Sequence, residues 1–141
     1  MFLGSFSRKI DEKSRFYIPK KFKKQIGQKA IVIKSVEGCL CIYSPKEFKE
    51  LSKKMEEQSL KQGGGSHNNQ RSIGIMSEEV RLAGNRRILL SLGLMDHALL
   101  RRGEVLILGA IDHFEVWNPK VWEKSLKKKE DIWPSILSAK N

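Results

Sequence analysis

The chain has 141 residues, a formal charge of +11 and 40% hydrophobic residues, one domain's worth of chain with apolar content for a real core. The cationic surplus favours an anionic partner through field steering and counterion release, compatible with DNA, RNA or an anionic membrane surface. Charges break every apolar run well short of about 18 residues, which excludes a transmembrane segment, and the start Met1-Phe2-Leu3-Gly4-Ser5-Phe6-Ser7-Arg8-Lys9 lacks a signal peptide's apolar centre, so a cytoplasmic protein is expected.

Phe2, Phe6 and Ile10 stand at even spacings around Arg8, which suits an entering strand, and a turn follows from Asp11 to Ser14. Phe16 and Ile18 alternate with Arg15 and Tyr17 on the returning strand. Pro19 has the fixed φ of a first helical position, with Phe22 and Ile26 on one face of a short helix that Gly27 stops. Ala30 to Val36 and Cys39 to Tyr43 read as a strand pair around the turn Glu37-Gly38. Ser44-Pro45-Lys46-Glu47 is a capping box, followed by an amphipathic helix with Phe48, Leu51 and Met55 on its apolar stripe. Gly63-Gly64-Gly65-Ser66 with His67-Asn68-Asn69 is the one clear linker.

After the linker, a weak helical segment carries Ile73 and Met76, and Glu79 to Leu82 lead into a second turn. Leu92, Leu94, Leu99 and Leu100 suggest a short helix ended by Gly103. Val105 to Leu108 and Phe114 to Trp117 form another strand pair, and Asn118 caps a helix opened by Pro119, with Trp122 and Leu126 four apart. An apolar tail, Ile132, Trp133, Ile136 and Leu137, straddles Pro134 and is suited to the core or to a neighbouring subunit.

The chain repeats itself. Asp11 to Pro19 recurs 72 positions on, as Ala83 to Ser91, and Ile42 to Phe48 recurs 74 positions on, as Val116 to Trp122. The expected organisation is a first half over 1–62, a linker over 63–70, a second half over 71–130 and a tail over 131–141. Each half reads strand, turn, strand, short helix, strand, strand, helix, an order that suggests an α+β fold or a small barrel shared between the halves, which would leave no isolated sheet edge.

Asp11-x-x-x-Arg15 with a second such turn some seventy residues later, the opening Met1-Phe2-x-Gly4, the stretch Phe114-Glu115-Val116-Trp117 and the duplicated strand-Pro-helix block together resemble the MraZ family of transcriptional regulators of bacterial division and cell-wall gene clusters, over roughly 1 to 130. The resemblance implies a duplicated swapped-hairpin β-barrel with peripheral helices and two pseudo-symmetric halves, similar to AbrB-type regulators. It implies ring-like homo-oligomers on short direct repeats in a promoter, that of the protein's own gene cluster included. The family turn reads Asp-x-x-Gly-Arg. Here Ser14 replaces the glycine of the first turn, and Ala83 and Arg86 replace the aspartate and glycine of the second. Loss of glycine raises the cost of any positive φ, and Ala83 can neither accept turn N–H groups nor pair with an arginine, so the two turns are not equivalent readers.

A β ribbon can enter the major groove of B-DNA, where a guanidinium donates to both acceptors of guanine. Arg15 is the expected base reader and Arg87 its counterpart. Lys13, Ser14, Asn85 and Arg86 would meet phosphates or neighbouring base edges, and Arg8, Lys9 and Arg81 would hold the backbone. Asp11 supports the turn, either by accepting its N–H groups or by pairing with Arg15, and a carboxylate that pairs with the guanidinium can also aim it. Lys20, Lys21, Lys23, Lys24 and Lys127 to Lys129 read as solvated faces, and Trp117 and Trp122 as core or subunit contacts rather than stacking platforms.

Catalysis is not expected. His67, His97 and His113 are scattered without metal or nucleophile–base spacing, Gly63-Gly64-Gly65 lacks the lysine of a phosphate loop, and two cysteines without paired histidines give neither a disulfide framework nor a zinc site. No cofactor, metal or small-molecule substrate is expected. The competing readings are an antitoxin-like interaction module, for which the tail is short and apolar, and a nonspecific nucleoid or RNA binder, which lacks the aromatic strand pattern of an RRM.

Overall fold

The computed structural model describes residues 1–61, 67–82 and 84–128. Among the described residues it is a mixed α+β fold of eight strands and five helices. In chain order these are β1 (Ser5–Ile10), β2 (Arg15–Tyr17), α1 (Lys20–Ile26), β3 (Lys29–Lys34), β4 (Leu40–Tyr43), α2 (Pro45–Lys61), α3 (Asn68–Ile75), β5 (Ser77–Arg81), β6 (Arg87–Leu89), α4 (Leu92–His97), β7 (Gly103–Gly109), β8 (Phe114–Trp117) and α5 (Pro119–Lys128).

All pairings are antiparallel. Six strands form one sheet in the order β1-β7-β8-β4-β3-β5, and β2 pairs with β6 in a second, two-stranded sheet. Strands from either side of the linker therefore interleave. β1 binds β7, with Phe6 opposite Ile107; β3 binds β5, with Ala30 opposite Val80; β4 meets β8, with Cys41 opposite Glu115. The halves share one core. Phe16, Ile18, Phe22, Val32, Leu40 and Ile42 from before the linker are buried with Ile88, Leu94, Val105, Ile107, Phe114 and Val116 from after it. At its centre Phe22 packs against Phe2 at 5.2 Å, Phe6 at 5.4 Å and Phe114 at 5.0 Å between ring centroids. Each large side chain so buried contributes about 1.5–3 kcal/mol.

Local signals explain most boundaries. Pro19 lies one residue earlier than expected, at the N-cap of α1, and Gly27 closes that helix at φ 83°. Ser44 Oγ accepts the Glu47 N–H at 3.1 Å at the start of α2, and Asn118 Oδ1 accepts the N–H groups of Lys120 and Val121 at 2.8 and 3.3 Å at the start of α5. Ser91, which the sequence reading did not single out, caps α4 through Leu94 N–H. Phe2 does not extend the first strand. Gly4, at φ 102°, turns the chain, and Phe2 instead makes an isolated bridge to Ile111.

Two expectations need correction. The helix drawn through Leu99 and Leu100 to Gly103 stops at His97. Leu99 takes the left-handed conformation, φ 54°, the Leu100 N–H returns to the Met95 carbonyl at 2.9 Å, and Gly103 begins β7. The stretch read as a linker up to residue 70 also contains the first turn of α3. There Arg71 donates to Asn68 Oδ1 at 3.0 Å, and His67 Nδ1 lies 2.8 Å from Gln70 Oε1, so polar side chains organise the helix start. The Gly-rich stretch 63–66, Ala83 and the tail 131–141 lie outside the described residues. Among the described residues, no helix is long and apolar enough to cross a membrane.

Candidate nucleic-acid interface

The β2–β6 ribbon is three residues per strand, and its two faces differ. Phe16 and Ile88 pair on the inner face and are buried at 1% and 0%. Because side chains alternate along a strand, Arg15, Tyr17, Arg87 and Leu89 share the outer face, where Arg15 stands opposite Leu89 and Tyr17 opposite Arg87. The strands run in opposite directions, so the first turn leaves one end of the ribbon and the second turn the other. Ile18 N–H donates to the Arg86 carbonyl at 2.9 Å, which continues the register to the second turn. Ser14 and Arg86 are then four residues apart along the ribbon, about 13 Å at a strand's rise.

Asp11 organises this surface. Its Oδ1 accepts the N–H groups of Lys13 and Arg15, each at 2.9 Å, and Oδ2 takes Arg15 Nε at 3.1 Å. Both alternatives raised for Asp11 therefore hold at once. The same Oδ2 lies 3.7 Å from Nη1 of Arg87, contributed by the other half of the chain. The Arg15 N–H above all, then the Lys13 N–H and the guanidinium charge, hold the Asp11 carboxyl below its usual range against the opposing effect of burial.

The second turn is built differently. With its amide oxygen turned toward Arg87, Asn85 accepts from Nε at 2.8 Å. A side chain two residues past the alanine thus supports the guanidinium that the missing aspartate would have held. The Arg87 guanidinium also lies over the Tyr17 ring, 5.4 Å from its centroid. Ser14 and Arg86, the residues in place of glycine, both have positive φ, 62° and 68°. Each bears a strain of about 1–2 kcal/mol that glycine would not.

The structure thus brings Asp11, Arg15, Asn85 and Arg87 together on one face, with exposed Lys13 and Ser14 at one end and half-buried Arg86 at the other. Arg8 and Lys9 are neighbours on a strand and point to opposite faces. Lys9 is exposed, whereas Arg8 is half-buried, lies 5.5 Å over the Phe6 ring and donates to the Ser7 carbonyl. Arg81 is exposed at the end of β5 opposite Lys29, whose ammonium is engaged by Glu79 at 2.6 Å.

The sequence reading missed four contributors. Tyr17 and Leu89, 44% and 56% exposed, supply the apolar part of the ribbon face; their exposure could have been read from their alternation with Phe16 and Ile88. Arg101 and Arg102 line a groove of about 390 Å³ with Asp11, Glu12 and Ser14 of the first turn. The adjacent pair was visible in the sequence, but its placement depends on the β1–β7 register, in which Ile10 faces Gly103. The histidines have local structural contacts: His97 Nε2 lies 2.7 Å from the Ser35 carbonyl, and His113 sits between Asp112 and Glu115. Trp117 is 1% exposed with Trp122 edge-on at 5.0 Å, so this pair forms a packed contact.

Comparison with known proteins identifies the family to which the chain is similar. A family model described as "MraZ protein, putative antitoxin-like" matches residues 1–64 and 77–133. Similar proteins include the "Transcriptional regulator MraZ" of Caldanaerobacter subterraneus subsp. tengcongensis, 30% identical over 96% of this chain and 94% of that protein. The proteins of the same name from Cutibacterium acnes, 28% identical over 96% and 94%, and Corynebacterium jeikeium, 30% identical over 94% and 92%, are also similar. With most of its length matched, this chain belongs to the MraZ family.

Proposed function

We propose that the protein is a sequence-specific DNA-binding transcriptional regulator that reads the major groove with the outer face of β2–β6. One observation carries this reading: Asp11 holds half-buried guanidinium groups from both sides of the linker on a single face of a strongly basic chain. Fixing a planar fork before binding reduces the ordering cost of contact and suits bidentate donation to guanine. Arg15 is the principal reader and Arg87 its neighbour. The turns stand about 13 Å apart, close to the roughly 12 Å width of a major groove. Lys13 at one end and Arg86 at the other then meet phosphates, with Ser14 and Asn85 at the rim and Lys9, Arg81, Arg101 and Arg102 adding charge outside it. One protomer is thus one reader with two unlike ends.

The scaffold we infer is a closed swapped-hairpin barrel of two pseudo-symmetric halves, 1–62 and 71–130. Strand order supports it. Exchanging β1 with β5, β3 with β7 and β4 with β8 reverses the six-stranded sheet and returns the same order, while β2 and β6 exchange with each other. A single ribbon covers few base pairs, so useful affinity requires several linked copies. A ring-like homo-oligomer on promoter direct repeats, in the cytoplasm and at the nucleoid, meets that need. The half-buried stripe Phe48, Leu51 and Met55 on α2, a helix with no buried residue, supports association of copies. The proposed operator lies upstream of the protein's own division and cell-wall gene cluster.

Footprinting of the purified protein on that upstream DNA tests the reading. Protection of evenly spaced short repeats at salt that releases random duplex is the expected result. Uniform coverage, or equal competition by RNA, would contradict it.

A further inference from the structure

The outer face of the strand pair β4–β8 holds a polar cluster to which DNA reading assigns no role. Cys41 and Glu115 stand directly opposite one another in the register, with Cys39 two residues before Cys41. Both cysteines are free thiols. The two Sγ atoms and a carboxylate oxygen of Glu115 all lie within 4.8 Å of one another, and Cys41 Sγ is 3.9 Å from Glu115 Oε2. The carboxylate is held from both sides. Trp117 Nε1 donates to Oε1 at 3.0 Å, and His113 Nε2 lies 3.1 Å from Oε2. His113 is in turn fixed by Asp112 at 2.7 Å and by stacking on Tyr43, 4.7 Å between centroids.

We propose that Cys39, Cys41 and Glu115 form a binding site for a thiophilic divalent cation of the zinc class, with water in the fourth position. Two sulfurs and one carboxylate oxygen select zinc-like ions over calcium or magnesium, which take oxygen ligands. Tetrahedral zinc, about 2.3 Å from sulfur and about 2.0–2.2 Å from oxygen, places its ligand atoms about 3.5–3.8 Å apart. The observed group meets that demand with small side-chain rotations. His113 and Trp117 act as positioning residues, orienting the carboxylate as outer partners of metal ligands do. Cys39 is buried, while Cys41 and Glu115 are half-buried and supply the way in. Without a cation, the neighbouring Cys39 thiol above all, then burial and the charges of Cys39 and Glu115, push the Cys41 thiol up from its ordinary value. A bound dication reverses the electrostatic balance. Each cation that binds replaces the two thiol protons, which pass to solvent, and no electron is transferred.

The site joins two parts of the chain. Its thiols come from β4 and the residue just before that strand, ahead of the linker, and its carboxylate from β8, after it. Bound metal therefore clamps the halves and stabilises the folded state by mass action.

Titration of the reduced, chelator-treated full chain with Co²⁺ tests the proposal. The expected result is a thiolate-to-cobalt charge-transfer band that saturates at one ion per chain and is abolished by Zn²⁺. Zinc should also raise the thermal midpoint. Cys39→Ser with Cys41→Ser should remove the band, with folding checked by circular dichroism. Glu115→Gln preserves the shape and the thiols, so it should retain the band but weaken binding about tenfold or more. Absence of the band at one equivalent, its survival in the double serine variant, or unchanged affinity in Glu115→Gln would overturn the site as drawn.

Discussion

Arg87 reaches from the second half of the chain to Asp11 in the first, its Nη1 lying 3.7 Å from the Oδ2 that also takes Arg15 Nε at 3.1 Å. Three side chains thus form one unit, and changes in them will not act independently. Asp11→Ala should lower discrimination between cognate and random duplex, and adding Arg87→Ala should cost less than in the wild-type background. A double-mutant cycle on DNA binding checks this; strict additivity would separate Asp11 from Arg87.

Ser14 and Arg86 occupy left-handed backbone at φ 62° and 68°. Ser14→Gly should raise stability by up to about 1 kcal/mol, strain relief being partly offset by the entropy of glycine in the unfolded chain. Arg86→Gly should do the same while weakening DNA binding, because a cation is lost. Chemical denaturation measures the first effect and fluorescence anisotropy with labelled duplex the second.

At Gly109 the restriction is space. A Cβ there would fall 2.5 Å from the Phe2 carbonyl oxygen and 2.7 Å from Leu3 Cα. These are main-chain atoms of the N-terminal segment, which Gly109 and Ile111 hold through hydrogen bonds to Gly4 and Phe2. Gly109→Ala should displace that segment and destabilise the fold by about 1–3 kcal/mol, seen as a lower denaturation midpoint.

Burial opposes the charged form of His113, but the hydrogen bonds it donates to Glu115 and Asp112 outweigh it and raise its pKa above 6.5. The folded state therefore binds this proton more tightly than the unfolded chain. The stabilisation is fully present below pH 6.5 and is lost as pH rises through the raised folded value. Thermal midpoints of chelator-treated protein should fall across that window, and His113→Gln should flatten the fall. An identical profile in the variant would remove His113 as the cause.

Elements with strong local signals were legible from sequence. Phe114–Trp117 emerges as the expected strand, and Asn118 caps the expected helix. The helix through Leu99 failed because apolar spacing continued past a residue whose backbone had already reversed at φ 54°. In the site, alternation placed Arg15 beside the first turn, and Asp11 two residues before Lys13 foretold a turn-capping carboxylate. The Asp11–Arg87 contact and the approach of Arg101 and Arg102 were not legible, because they depend on the register between strands far apart in sequence. The cluster of Cys39, Cys41 and Glu115 was hidden in the same way. Two cysteines announce a metal site only when their remaining ligands are nearby in sequence, and here the third stands on another strand.

The most direct measurement of the central claim is the affinity of Arg15→Ala for cognate and for random duplex across a salt series, beside Lys13→Ala. The account predicts that Arg15→Ala loses about 1–3 kcal/mol of discrimination. Lys13→Ala should weaken both duplexes alike and reduce the log–log salt slope by about 0.9. Full discrimination by Arg15→Ala would contradict the reading of bases by the β2–β6 face.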